Sequence, residues 1–92
     1  MKTGASTDSW HIYILRCRDG TLYTGIAKDL DKRIEEHNGD NRLGAKYTRG
    51  RRPVLLVYEE SAENQSAAAR REAQIKRLEK SEKEQLILGR CE

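Results

Sequence analysis

The sequence has 92 residues and contains no Phe, one Pro, one Trp and two Cys. Two cysteines, Cys17 and Cys91, make no disulfide framework, and no CxxC or Cys/His cluster supplies a zinc pattern. Both read as thiols of a cytoplasmic protein. No apolar run nears the roughly 18 residues that a membrane span needs. The first nine residues are polar and lack the apolar stretch of a secretory signal, so they are expected to form a flexible tail. Walker, GxGxxG and GxSxG strings are missing, which argues against ATP hydrolysis, a nucleotide cofactor and lipase-like chemistry.

What is present fits one domain, expected over residues 10–88 with a short tail at 89–92. Charged and apolar residues each make up 36% of the chain, too much charge for a large core and too much apolar residue for disorder. The net charge of +3 is unevenly placed. No acid occurs from Arg42 to Arg52, where Arg42, Lys46, Arg49, Arg51 and Arg52 supply five cations. The rest of the chain carries more acids than bases. Five cations on a Gly-rich segment form a phosphate-binding footprint, with Tyr47 among them.

Trp10–Cys17 is β-rich and apolar on both parities, as a central strand covered on both faces would be. Leu22–Ile26 reads as its hairpin partner. An Asp-Gly two-residue turn would put Tyr13 and Tyr23 on opposite faces of the sheet. A three-residue loop with left-handed Gly20 would pair Cys17 with Thr21 and Leu15 with Tyr23, bringing both tyrosines to one face. Asp29 can cap a helix from Leu30 to about Asn38, with Leu30, Ile34 and His37 along one stripe and Arg33 a turn before His37. The stretch from Asp40 to Pro53 is expected to be a long exposed loop. Val54–Tyr58 reads as a third strand, and a helix follows from about Gln65 to Leu78, capped by Asn64 or Ser66. A capping box at Ser81–Glu84 predicts a last helix from Glu82 to Leu88. The order is ββαβαα, an α+β domain with a three-stranded antiparallel sheet flanked by helices.

Along the long helix, with Ile75 as the reference direction, Ala68 falls at about 20° and Glu72 at about 60°. Glu72 therefore sits at the edge of the apolar stripe. A half-buried carboxylate needs a salt-bridge partner or a metal ion, and Arg71 or Lys76 could pair with it in solvent. Taken singly, Tyr13 and Tyr23 read as sheet aromatics, and Arg33 and His37 as ordinary helix residues.

Together these residues resemble a known pattern. His11-Ile12-Tyr13 and Tyr23-Thr24-Gly25 are similar to the paired motifs of the GIY-YIG nuclease family. Leu30-x-x-Arg33-x-x-x-His37, the loop Gly44-Ala45-Lys46-Tyr47-Thr48-Arg49-Gly50 and the pair Arg71-Glu72 follow in the family's order. The match spans roughly Trp10 to Leu88 and most resembles the small stand-alone bacterial members. The resemblance implies a divalent-metal-dependent endonuclease that hydrolyses DNA phosphodiesters, with a role in repair or recombination and with RNA left open as a substrate. It implies that Tyr13 or Tyr23 acts as general base or orients the attacking water, and that Arg33 stabilises charge on the scissile phosphate. Glu72 would be the only protein ligand to one Mg²⁺ or Mn²⁺ ion. His37 could shuttle a proton or hydrogen-bond a tyrosine hydroxyl, while Lys46, Tyr47, Arg49, Arg51 and Arg52 grip the nucleic-acid backbone.

The scheme needs both tyrosines on one face, which selects the three-residue hairpin loop. It also needs a cation near a tyrosine to lower a pKa that is ordinarily about 10, and Arg33 and the metal are the expected sources. His11 replaces the first motif Gly and Thr24 the second motif Ile. No Asn follows Asn64, although several catalytic members carry one beyond the glutamate. That difference favours the alternative of a nucleic-acid-binding module with little turnover. Oligomeric state is not legible in the sequence.

Overall fold

The apolar strand expected at the centre is at the centre. The computed structural model describes residues 9–39 and 46–90. Strands β1 (Trp10–Arg16), β2 (Leu22–Ala27) and β3 (Leu55–Ala62) form one antiparallel sheet in the order β2-β1-β3. Helix α1 (Leu30–Gly39) and the short α2 (Lys46–Arg49) lie between β2 and β3, and α3 (Gln65–Lys76) and α4 (Lys80–Arg90) follow. The α+β class and the three-stranded sheet are as expected from the sequence.

The hairpin adopts the three-residue loop. Gly20 has φ of 87°, a left-handed conformation that favours glycine. The Cys17 N–H donates to the Thr21 carbonyl at 2.8 Å, and the Gly20 N–H to the Cys17 carbonyl at 2.9 Å. Leu15 pairs with Tyr23 and Tyr13 with Gly25, so both tyrosines share a face.

The period of two in β1 divides the interior into two clusters. Ile12 and Ile14 point to one side and pack with Tyr58, Ala68 and Ile75 of β3 and α3, and with Ile87 of α4. Tyr13, Leu15 and Cys17 point to the other and pack with Ala27, Leu30 and Val54, with Ile34 of α1 and Tyr23 at the margin. Each fully buried Ile or Leu contributes about 1.5–3 kcal/mol. Asp29 caps α1, its Oδ1 accepting from the Lys32 N–H at 3.1 Å, and Asn64, not Ser66, caps α3 through Ala67 at 2.8 Å.

Five local expectations need correction. The stretch before Pro53 is not all exposed loop: α2 forms there and buries Thr48 completely. β3 runs four residues past Tyr58, because Glu59 and Glu60 pair with Tyr13 and Ile12 of β1, and the Glu60 carboxylate is bound by Arg71. α3 ends at Lys76 because the Leu78 N–H bonds the Ile75 carbonyl in a tightened last turn. The cap of α4 lies at Glu79 rather than Ser81, since the Glu82 carboxylate reaches back to the Glu79 N–H at 2.9 Å. Glu84, expected in that box, instead forms a bidentate pair with Arg16 of β1 at 2.7 and 2.8 Å. α4 continues through Gly89 and Arg90, the first residues of the expected C-terminal tail. Cys91, Arg42 and residues 1–8 lie outside the described residues.

Candidate active site

Tyr13 comes from the middle of β1 and is buried on the α1 face. Its ring passes over Gly25 on the neighbouring strand. A Cβ at that position would lie 2.6 Å from Tyr13 Oη, 2.7 Å from Cζ and 3.2 Å from Cε2 of Tyr23. Real Cβ atoms do not approach a rigid ring so closely, so only glycine lets both tyrosines occupy this face. The motif glycine is thus a steric requirement of the tyrosine before it.

The stripe of α1 carries His37 to the same place. Leu30 and Ile34 anchor the helix on the apolar cluster, and His37, one further turn along, is fully buried. Tyr13 Oη and His37 Nε2 are 2.9 Å apart, and His37 Nδ1 lies 2.8 Å from Thr48 Oγ1. Three buried polar side chains from β1, α1 and α2 therefore form one hydrogen-bonded chain. Among the described residues the buried side-chain atoms without a partner are His11 Nδ1 and Thr24 Oγ1, so this chain is satisfied throughout. Nearby backbone is pinned as well. Arg52 Nε donates to the His37 carbonyl at 2.5 Å, and Asn38 exchanges two hydrogen bonds with the Val54 backbone at 2.7 and 3.1 Å.

Arg33 lies one turn before His37. Its guanidinium donates to Glu36 Oε1 at 2.8 Å and acts electrostatically on the Tyr13 hydroxyl. Burial opposes the Arg33 charge, but Glu36 and Tyr13 more than compensate and its pKa is raised. The Tyr13 hydroxyl feels three of the sequence-predicted residues. Burial pushes its pKa up to about 12, the Arg33 guanidinium opposes that shift, and the Tyr23 and Glu72 charges add to it. The expectation that a cation lowers a tyrosine pKa therefore fails for Tyr13 in the protein alone, because desolvation exceeds the pull of one guanidinium. His37 moves the opposite way, down to about 4, through burial first and the Arg33 charge second. At neutral pH both side chains are uncharged.

Tyr23 sits at the rim. Its ring centroid is 5.1 Å from that of His37, 6.4 Å from Tyr13 and 5.7 Å from the half-exposed Tyr47. The basic segment is partly committed internally. Arg51 stacks on the Tyr47 ring at 4.2 Å, donates to the Tyr47 carbonyl at 2.8 Å and pairs with Asp19 of the hairpin turn at 3.1 Å. Arg52 is engaged with His37, whereas Arg49 is exposed on α2 with no partner among the described residues. The backbone of Lys46 begins α2.

Glu72 lies where the helix geometry predicts, beside buried Ala68 and Ile75, with its side chain 23% exposed. Lys76, 54% exposed, is its ion-pair partner at 3.1 Å. Arg71 pairs with Glu60 instead. Among the described residues no group of three His, Cys, Asp or Glu side chains could hold a metal ion. A lone, half-exposed carboxylate with a displaceable lysine fits a hard ion that keeps most of its shell as water and phosphate oxygen, as Mg²⁺ does. It does not fit a zinc-type N/S site.

Sequence reasoning missed Thr48, which stood in an apparent loop, and the steric reason for Gly25. The pairing of Tyr13 with Gly25 was already implicit in the chosen register and could have exposed the second. A groove of about 480 Å³ at the start of α1, lined by residues including His11, Lys28, Asp29 and Glu59, contains none of the predicted site residues.

Comparison with known proteins now bears on this geometry. A model of the GIY-YIG catalytic domain matches residues 9–85. A UPF0213 protein of Staphylococcus saprophyticus is 52% identical over 80 residues, covering 87% of this chain and 95% of its own. A UPF0213 protein of Halobacterium salinarum is 50% identical over 77 residues, covering 84% and 97%. The solution NMR structure of a UPF0213 protein from Bacillus halodurans superimposes with a TM-score of 0.55 at 43% identity, covering 86% of this chain and 82% of that one. That of a protein from E. faecalis gives 0.60 at 34% identity, covering 100% and 94%.

Proposed function

The chain belongs to the GIY-YIG family, a nuclease family, and from that premise we propose that it is a divalent-metal-dependent endonuclease hydrolysing DNA phosphodiesters. The observation that carries this reading is the buried 2.9 Å contact between Tyr13 Oη and His37 Nε2, with the Arg33 charge acting on the same hydroxyl. No helix among the described residues is long and apolar enough to cross a membrane. A cytoplasmic role in DNA repair or recombination fits this reading, with RNA as the other nucleic acid to test.

A scissile phosphate competes with Glu36 for the Arg33 guanidinium. Once Arg33 turns to the phosphate, a lone pair on Tyr13 Oη is open to water. That water attacks phosphorus with its oxygen, passes a proton to Tyr13 Oη, and Tyr13 passes its own proton to Nε2 of His37. A P–O bond to the water oxygen forms, the ester P–O bond breaks, and the leaving alkoxide takes a proton from solvent. Because Tyr13 gives a proton as it takes one, its pKa of about 12 is no obstacle. Nucleases of this family generally use a divalent metal, and Glu72 is the residue that would hold it. Such an ion would supply positive charge near the scissile phosphate. Tyr23 and Tyr47 form an aromatic rim, and Lys46, Arg49, Arg51 and Arg52 provide positive charge for the backbone.

The rival reading, a binding module with little turnover, draws on the complete burial of Tyr13. One experiment separates the two. Incubate the protein with single-stranded, nicked and branched DNA, and with RNA, in Mg²⁺ or Mn²⁺, beside Glu72→Ala. Metal-dependent nicking that Glu72→Ala abolishes supports the nuclease. Binding without nicking in either metal supports the module, and undiminished cleavage by Glu72→Ala removes the metal role from that residue.

A further inference from the structure

Hydrogen-bond accounting around Tyr13 fixes where the proton of His37 must be. Among the described residues the Tyr13 hydroxyl has one hydrogen-bond partner, His37, and a buried hydroxyl hydrogen left without an acceptor is costly. The tyrosine's own hydrogen then needs an acceptor. Tyr13 is 1% exposed, and the ring nitrogen facing its hydroxyl is Nε2 of His37 at 2.9 Å. Nε2 must therefore be unprotonated. His37 is uncharged at neutral pH and has one ring proton, which is left on Nδ1, 2.8 Å from Thr48 Oγ1. The Thr48 oxygen accepts it.

We propose that Thr48 is a positioning residue whose hydroxyl oxygen holds the proton of His37 on Nδ1 and keeps Nε2 open toward Tyr13. This rests on the nuclease reading for its catalytic consequence, while the tautomer itself is a property of the folded protein. The consequence is directional. A histidine protonated on Nε2 would donate to Tyr13 and could not take its proton, so the relay would run only in one tautomer. When His37 does become an imidazolium during the reaction, the Nδ1–H still points at an oxygen, and the transient charge stays solvated by Thr48.

The placement of Thr48 adds a second consequence. It belongs to the single turn Lys46–Arg49, inside the segment richest in cations. Tyr47 and Arg51 tie this segment to the hairpin turn through Asp19, and the Arg18 N–H donates to the Arg51 carbonyl at 2.9 Å. The same turn that offers Arg49 to a phosphate thus aligns the acceptor of the proton relay.

The test uses the full chain, labelled with ¹⁵N and observed by NMR at the His37 ring nitrogens, in wild type, Thr48→Val and Thr48→Ser. Wild type is expected to show a protonated Nδ1 and a bare Nε2. Thr48→Val is expected to move much of that proton to Nε2 and to lower kcat by about ten- to a hundredfold with KM unchanged. Thr48→Ser, which keeps the oxygen, should restore both readouts. A wild-type ring protonated on Nε2 overturns the proposal, as does Thr48→Val with wild-type tautomer and kcat. If Thr48→Val does not fold, the wild-type spectrum and Thr48→Ser still decide. A wild type that shows the Nδ1–H tautomer yet cleaves none of the DNA or RNA substrates upholds the Thr48 assignment and sinks the nuclease reading.

Discussion

The two faces of the sheet are built on opposite principles. Toward α3 and α4, β1 presents Ile12 and Ile14 to Tyr58, Ala68, Ile75 and Ile87, an almost wholly apolar packing. Toward α1 and α2, one residue out of step, it presents Tyr13 to His37 and Thr48, three polar side chains sealed from water. The first face is worth its buried area and tolerates exchange of one apolar shape for another. The second is stable only while every donor finds its acceptor, since an orphaned buried polar group costs about 1–3 kcal/mol. Cohesion and chemistry are thus divided between the two faces of one seven-residue strand.

Truncating each face should produce different failures. Ile75→Ala leaves a cavity in the apolar face and should lower unfolding free energy by about 2–5 kcal/mol, while kcat of the folded protein stays near wild type. Gly25→Ala forces a methyl against the Tyr13 ring and should cost about 1–3 kcal/mol, with nearly all cleavage lost. Urea denaturation and turnover per folded molecule separate the two. Equal loss of kcat in both variants would erase the division of labour.

Mild acid should injure the polar face first, before the paired carboxylates Glu60 and Glu84 titrate. His37 has its pKa depressed to about 4 in the folded protein against 6.5 as the ordinary value. Above pH 6.5 neither state is protonated there and the group has no effect. As pH falls from about 6.5 to about 4, the unfolded chain binds a proton that the folded one refuses. Stability then drops, by about 3 kcal/mol in all, and levels off below the folded value. Denaturation curves at pH 7, 5.5 and 4.5 should show this loss, reduced in His37→Gln. An identical acid profile in the variant would assign the sensitivity to other groups.

The smallest expected effect lies at the margin between the faces. Lys76→Ala removes an exposed partner of Glu72 and should change stability by no more than about 0.5 kcal/mol. It should also lower the Mg²⁺ concentration for half-maximal cleavage, because the lysine no longer competes for the carboxylate. An unchanged or higher metal requirement would show that Lys76 does not compete with the ion.

The same division explains what the sequence made legible. Strand periodicity and helix stripes announce apolar contacts, so Ile12, Ile14, Ala68 and Ile75 were readable from spacing alone, as was the edge position of Glu72. The hairpin register followed from turn chemistry once both tyrosines were required on one face. Thr48 was not readable, because its burial comes from a contact with His37 across 11 residues and carries no periodic signal. Nor was the raised pKa of Tyr13, which depends on how completely the ring is covered by neighbours distant in sequence such as His37 and Gly25. The cap at Glu79 was misplaced for a related reason: Glu84 had a stronger partner in Arg16, 68 residues away.

The central claim is that the buried Tyr13 hydroxyl and His37 form the proton relay of a phosphodiester hydrolase. Single-turnover cleavage of bound DNA in Mg²⁺ by wild type and Tyr13→Phe addresses it most directly, with DNA affinity measured for both. A folded Tyr13→Phe that binds DNA as wild type does and cleaves about a hundredfold or more slowly is the predicted result. Cleavage at the wild-type rate by that variant would contradict it.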